Sequence, residues 1–198
     1  MDWATYNDFR KQFSNYNSFR EIPLMLKTSF EFASEIAKGK KVLDIGASRR
    51  HFESFCKQKN ISLKEYKTQD IDLTTKPDYK NIDEIKEKFD LITIFATIEH
   101  LNPEQSINLL QKCSKLTNQI IITTNNIYFP VWGFFDDVTH VKPYSPRTLY
   151  ALLKKANFNN IKIYRIYKKG LIPIFIKKIQ SKITNHDFSP EILVIASK

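Results

Sequence analysis

Two histidines in this chain stand beside carboxylates in an arrangement suited to proton transfer. His100 follows Glu99 at the end of an apolar run, and His140 comes shortly after Asp136 and Asp137. A neutral imidazole accepts a proton near neutral pH, and a neighbouring carboxylate orients the ring. His140, with Asp137 to orient it, reads as a general base for a hydroxyl acceptor. His100 reads as a site-shaping residue and as the alternative base. The spacing of Asp136, Asp137 and His140 would also suit a loop metal site, but no further His or Cys completes it, so a metal-free site is expected. A second group of residues surrounds Gly46. Val42, Leu43 and Ile45 lead into it, Asp44 sits between them, and Ala47, Ser48, Arg49 and Arg50 follow. A buried strand, a glycine turn and a helix start together offer a ligand a ring of backbone N–H groups.

These residues need elements to hold them. Apolar runs predict buried strands at Val42–Ile45, Phe89–Phe95 and Gln119–Thr124. Further strands are expected within 61–68, 161–167 and 191–197, with a short one at Asp78–Asn81. Helices are expected over 24–37, 51–59, 102–117 and 145–156. Two of these open on a side-chain cap followed by Pro, at Asn102-Pro103 and Ser145-Pro146. Tyr6, Phe9, Phe13, Tyr16 and Phe19 recur at helical spacing and predict an aromatic N-terminal helix. The loop over 125–144 is long for a compact domain, which argues that it serves function. Strands alternate with helices almost throughout, so the expected fold is α/β, a Rossmann-like doubly wound, mostly parallel sheet with an antiparallel C-terminal edge strand. One domain is expected over 1–198. Residues 1–38 would form a helical lid, 39–198 the α/β core, and 168–190 a basic insert.

At 198 residues, with 42% hydrophobic and 26% charged residues, the chain can bury a substantial core and does not have a disordered composition. There is no secretory-signal pattern at the N-terminus and no apolar run of membrane-spanning length, so a cytoplasmic location is expected. Cys56 and Cys113 lack metal-ligand spacing and read as reduced thiols. The net charge of +10 suits an anionic partner, but the lysines form no long block and read first as solvated faces. In the insert, Ile172, Phe175, Ile176, Ile179 and Ile183 share a helical face, with Lys177, Lys178 and Lys182 elsewhere. That pattern is compatible with a peripheral membrane contact or a homodimer, and also with simple packing on the domain.

The order VLDIG, then a strand ending in Asp, then FDLITIFATIEHL, then an isoleucine strand resembles the class I S-adenosylmethionine-dependent methyltransferases. The resemblance spans about 40–198, and Ile98-Glu99-His100-Leu101 is its most specific part. The loop DVTHVKPYS, 137–145, is similar to one in small methyltransferases that act on sugars and other metabolites. The resemblance implies S-adenosylmethionine as cofactor. Asp44, Gly46, Ala47, Ser48 and Arg49 would meet its amino-acid end, and Arg49 or Arg50 would clamp the carboxylate. Asp70 would take the ribose hydroxyls, with Asp72 as fallback. Asn81 and Ile82 would meet adenine, and Phe95 and Ala96 would line the channel. The chain departs from the family pattern at Ser48, where a second glycine is usual, and at Asn81, where Asp is usual. The expected activity is methyl transfer to an oxygen of a small polar or anionic acceptor, such as a sugar, nucleotide-sugar or phospho-compound of cell-surface glycan biosynthesis. The alternatives are an RNA methyltransferase and a non-catalytic binding subunit. Nucleic acid is disfavoured as a partner, because no NPPY-like tetrapeptide follows the fourth strand.

Overall fold

The strand carrying Asp44 lies one place in from the edge of a seven-stranded sheet. In the computed structural model, which describes residues 22–129, 132–167, 176, 179, 183 and 189–198, the strands are β1 (Leu24–Met25), β2 (Lys41–Ile45), β3 (Glu65–Gln69), β4 (Leu91–Phe95), β5 (Gln119–Asn125), β6 (Asn160–Ile166) and β7 (Glu191–Ser197). Their order across the sheet is β1-β6-β7-β5-β4-β2-β3. β2 pairs in parallel with β3 and with β4, setting Asp44 opposite Thr68 and Thr93. β7 runs antiparallel to both β5 and β6. All other pairings are parallel, so the carboxyl ends of β2, β3, β4, β5 and β6 share one rim of the sheet.

Helices cover both faces, which is why the central strands read as continuous apolar runs. Leu43, Ile92, Ile94, Ile120 and Ile122 face α3 (Pro103–Leu116) and α5 (Pro146–Lys155). Val42, Leu91 and Ile121 face α1 (Ser29–Ala37) and α2 (His51–Gln58). A short α4 (Trp132–Phe135) lies within the loop after β5. Asn102 and Gln105 form a reciprocal capping box at α3, and Ser145 caps α5 by accepting from the Thr148 N–H. Cys56 and Cys113 are buried free thiols. Among the described residues no helix is long and apolar enough to cross a membrane.

Two elements differ from expectation. Leu24–Met25 is an edge strand, not the start of a helix. Its neighbours' backbone fixes it: the Arg165 N–H donates to the Pro23 carbonyl and the Tyr167 N–H to that of Met25. The helix begins only at Ser29, where Thr28 and Glu31 form a capping box. The strand expected at Asp78–Asn81 is reduced to one bridge, Gln69 to Tyr79, because the Asp78 carboxylate takes the Thr68 N–H at 2.9 Å in place of a backbone partner. The antiparallel hairpin β6–β7 is as expected, with β1 added outside it. The aromatic stripe of residues 6–19 lies outside the described residues, as does most of the insert.

Candidate functional site

The turn after β2 is held by backbone geometry that its sequence disguises. Gly46 has φ +68°, and its N–H donates to the Gln69 carbonyl at 2.8 Å. Ser48 and Arg50 also adopt positive φ, +44° and +58°, so the turn keeps a glycine-like path at about 1 kcal/mol or more for each non-glycine residue. The Ser48 N–H donates to Asp70 at 2.7 Å and ties the ends of β2 and β3 together. Arg50 stands at the N-cap position of α2 without a side-chain cap bond, and its guanidinium pairs with Asp78 at 2.8 Å. Arg49 is exposed and lines neither cavity described below.

A cavity of about 980 Å³ opens at the ends of β2, β3 and β4. Gly46, Ser48, Asp70, Asn81, Ile82, Ala96 and His100 line it, bringing together residues far apart in sequence. Asp70 is buried, and its second oxygen accepts the Asp72 N–H at 2.9 Å. That fixes the carboxylate while leaving lone pairs for hydroxyl donors. The Asp72 carboxylate, the fallback for the ribose, instead caps the Leu73–Thr75 turn through the N–H and hydroxyl of Thr74. These bonds hold its carboxyl below the usual range. Asn81 caps the next short turn, Ile82–Glu84, by accepting the Asp83 N–H. Between the two acids, Ile71 is 86% exposed and lines the same cavity. An apolar side chain left in the open beside a polar cleft fits a flat heterocycle. Sequence reading missed it because a lone Ile between two Asp residues looks like loop.

A second cavity, about 730 Å³, shares Gly46, Ser48 and Ala96 with the first and extends across the ends of β4 and β5 to the start of β7. Asp44, Ala47 and Phe95 line it. Phe95 packs against Phe30 and Phe52, each at 4.9 Å between ring centroids. Asp44 accepts from the Tyr66 hydroxyl at 2.5 Å and the Thr93 hydroxyl at 2.7 Å. Burial pushes its carboxyl up from 3.8 to about 6 against the pull of these two bonds. The protonated form therefore suits the fold better, and stability falls as pH rises from about 4 through 6, by about 3 kcal/mol in all. Asp44→Asn is expected to remove that decline and to raise the melting temperature of the cofactor-free protein at pH 7 to 8. A melting curve with the same pH dependence in both proteins would refute this.

The two histidines meet. Their ring centroids are 4.8 Å apart, and His140 stacks on Phe134 at 4.5 Å. His100 Nδ1 lies 3.0 Å from the Thr139 carbonyl and His140 Nδ1 lies 2.8 Å from that of Phe134. A carbonyl only accepts, so each Nδ1 carries the proton, and His100 Nε2 is left to act as base. Asp137 binds the N–H and hydroxyl of Thr139 and stands 3.7 Å from His140 Nε2. Of the pair, His100 lines the larger cavity, whereas His140 lines neither. Beneath them Glu99 is buried at 1% exposure and accepts from the Thr124 hydroxyl at 3.0 Å, with burial raising its carboxyl. Its main-chain carbonyl accepts the N–H groups of Val141 and Lys142, which docks the long loop on the end of β4. The role of Thr124 carried no sequence signal, since the bond joins residues on different strands' ends.

A doubly wound sheet with a glycine turn, an acid at the end of the next strand and cavities along the carboxyl rim defines a protein that binds an adenosine-bearing cofactor. A family model described as a methyltransferase domain matches residues 16–163. The chain belongs to that family, and it is an S-adenosylmethionine-dependent methyltransferase. It is similar to the crystal structure of a SAM-dependent methyltransferase from Archaeoglobus fulgidus, with 25% identity over 86% of this chain and 95% of that one, and a TM-score of 0.66. The small RNA methyltransferase HEN1 shares the fold at 14% identity, over 85% of this chain and 25% of that one, with a TM-score of 0.63. Human N-acetylserotonin methyltransferase, solved with SAM, shares it at 11% identity, over 85% and 50%, with a TM-score of 0.60. No curated protein matches the sequence. The residues present fit the cofactor: Asp70 offers acceptors to ribose, Ile71 and Ile82 offer apolar surface, and the Gly46 turn admits close backbone approach.

Proposed function

We propose that this methyltransferase modifies an oxygen of a small polar or anionic acceptor in the cytoplasm, such as a sugar, nucleotide-sugar or phospho-compound of cell-surface glycan synthesis. The observation that carries the reading is His100, whose Nδ1 is bonded to the Thr139 carbonyl at the wall of the larger cavity. When bound, S-adenosylmethionine supplies a methyl group on an activated sulfonium. The protein then has to align an acceptor oxygen and take its proton. His100 Nε2 is suited to take it. His140 and Asp137 act as positioning residues that hold Thr139 and the imidazole pair. The second cavity adjoins the first at Gly46, Ser48 and Ala96 and sets Asn125 beside Phe30 and Phe55, a mixed lining that supports a hydroxylated acceptor.

His100→Ala is expected to lower turnover about 10²- to 10⁴-fold, with cofactor affinity unchanged. His140→Ala is expected to retain part of the rate. Calorimetry with S-adenosylhomocysteine and a methylation assay over candidate sugars and nucleotide-sugars read both effects. Near-normal turnover in His100→Ala would remove the base assignment.

A further inference from the structure

The positive charge gathers on the rim of the sheet opposite the two cavities. The segments that lead into the strands there are 38–41, 59–65, 85–90, 115–119 and 154–160, joined by Lys198 at the end of β7. Together they hold eleven of the 31 Lys and Arg but only three of the 21 acids, whereas the rest of the chain is nearly balanced, twenty against eighteen. Backbone bonds stitch the segments side by side in the order of the sheet. The Asn159 N–H donates to the Ser197 carbonyl at 2.8 Å, that of Lys198 to Asn118 at 3.1 Å, and that of Phe89 to Leu116 at 3.0 Å. The N–H groups of Asp90 and Lys64 continue the line onto the carbonyls of Lys41 and Lys40, each at 2.9 Å. From β6 to β3 this face extends about 24 Å at the usual strand spacing.

All three acids of the face are turned onto one lysine. Glu65 and Glu87 pair with the Lys41 ammonium, and Asp90 accepts the Lys41 N–H at 2.8 Å. Lys38, Lys40, Lys59, Lys64, Lys88 and Lys115 form no ion pair among the described residues. Lys40 and Lys88 donate to neutral acceptors, the Gln119 amide and the Lys115 carbonyl, so their charge stays unopposed. A helix dipole favours lysine in the last turn, but Lys40, Lys64, Lys86, Lys88 and Lys198 stand outside the helices.

We propose that this face docks the protein on the phosphate backbone of a double-helical nucleic acid, without reading its sequence. A duplex carries one charge per about 1.7 Å of its axis, so about fourteen phosphate charges lie along the face. Asn60, Asn118, Asn157 and Asn159 are exposed among the lysines and suit phosphate and sugar oxygens. No large apolar side chain of the face is exposed, so a bilayer would find nothing to take into its acyl boundary. Protein interfaces are depleted in lysine and enriched in aromatics, and unpaired strands stack their bases on aromatic platforms. Here the lysines are present, and Phe89 and Phe158, the face's aromatics, are buried. Both cavities open at the other rim, so the duplex is a platform for the enzyme and not its methyl acceptor.

Fluorescence anisotropy of a labelled mixed-sequence RNA duplex, and of its DNA counterpart, tests the proposal on the full chain without reference to methyl transfer. Both are expected to bind with a Kd of about 10⁻⁶ to 10⁻⁴ M, and log affinity is expected to fall against log salt with a slope of about −5, for about six phosphate contacts. Lys64→Gln with Lys88→Gln and Lys115→Gln is expected to make that slope shallower by about 2.7, while S-adenosylhomocysteine affinity stays unchanged. The same loss of charge outside the face, in Lys27→Gln with Lys67→Gln and Lys76→Gln, is expected to leave the slope as it was. Saturation with S-adenosylhomocysteine is expected to leave the duplex bound. Equal effects of the two triple variants would reduce the binding to net charge and overturn the proposal. So would the absence of salt-dependent binding, displacement of the duplex by S-adenosylhomocysteine, or tighter binding to polyglutamate or to anionic vesicles than to either duplex.

Discussion

Asp70→Ala is expected to weaken S-adenosylmethionine binding by at least about a hundredfold. A buried carboxylate that accepts two hydroxyls makes two charge-assisted bonds, each contributing about 1.5–3 kcal/mol. The carboxylate is already oriented by the N–H groups of Ser48 and Asp72, at 2.7 and 2.9 Å, so ligand binding pays little to order it. The substitution also leaves those two N–H groups without an acceptor, and a loosened turn would lower affinity on its own account. An S-adenosylhomocysteine analogue lacking the ribose 2′-hydroxyl separates the two effects. The native protein is expected to discriminate strongly against it, whereas Asp70→Ala is expected to bind both forms alike. If the variant discriminates as the native protein does, the ribose is held elsewhere.

The sheet was legible because its strands are buried on both faces, so that Ile120–Ile122 and Leu91–Ile94 read as short, nearly continuous apolar runs. β1 was not, because two residues carry no period and the strand exists through backbone bonds to β6. At the carboxyl rim the fold gathers Gly46, Ser48, Asp70, Asn81, Ile82, Ala96 and His100 around the larger cavity. Other side chains are set by local bonds invisible in sequence. Asp72 turns aside to cap three residues, and Arg50 is drawn to Asp78 by a left-handed cap. Ala96 likewise adopts φ +45° without a glycine to announce it. Glu99 and Thr124 needed the third dimension, since one sits after β4 and the other within β5. The even scatter of lysine hid a complete absence of acids over 138–186, because patterns of charge are easier to see as blocks than as gaps.

Gly46→Ala is expected to be the most destabilising single substitution in the turn. At φ +68° an alanine costs about 1–2 kcal/mol relative to its usual conformations. The larger effect is steric. A Cβ at this position would stand 2.3 Å from Thr97 Oγ1, 2.5 Å from its Cγ2 and 2.9 Å from its Cβ. Thr97 cannot swing away freely, because its hydroxyl donates to the Phe95 carbonyl at 2.9 Å and reaches that of Ile45 at 3.4 Å. Relief requires β2 and β4 to part at their carboxyl ends, where Gly46 and Ala96 line both cavities. Overpacking of this kind costs about 1–3 kcal/mol, so a loss near 3–4 kcal/mol is expected, together with loss of cofactor binding. Thr97→Gly supplies the diagnostic partner. In the double variant the steric part is removed and the backbone part remains, so chemical denaturation should show recovery to within about 2 kcal/mol of Thr97→Gly alone. Additive losses in the double variant would show that the glycine is required by its backbone conformation and not by the closeness of the two strand ends.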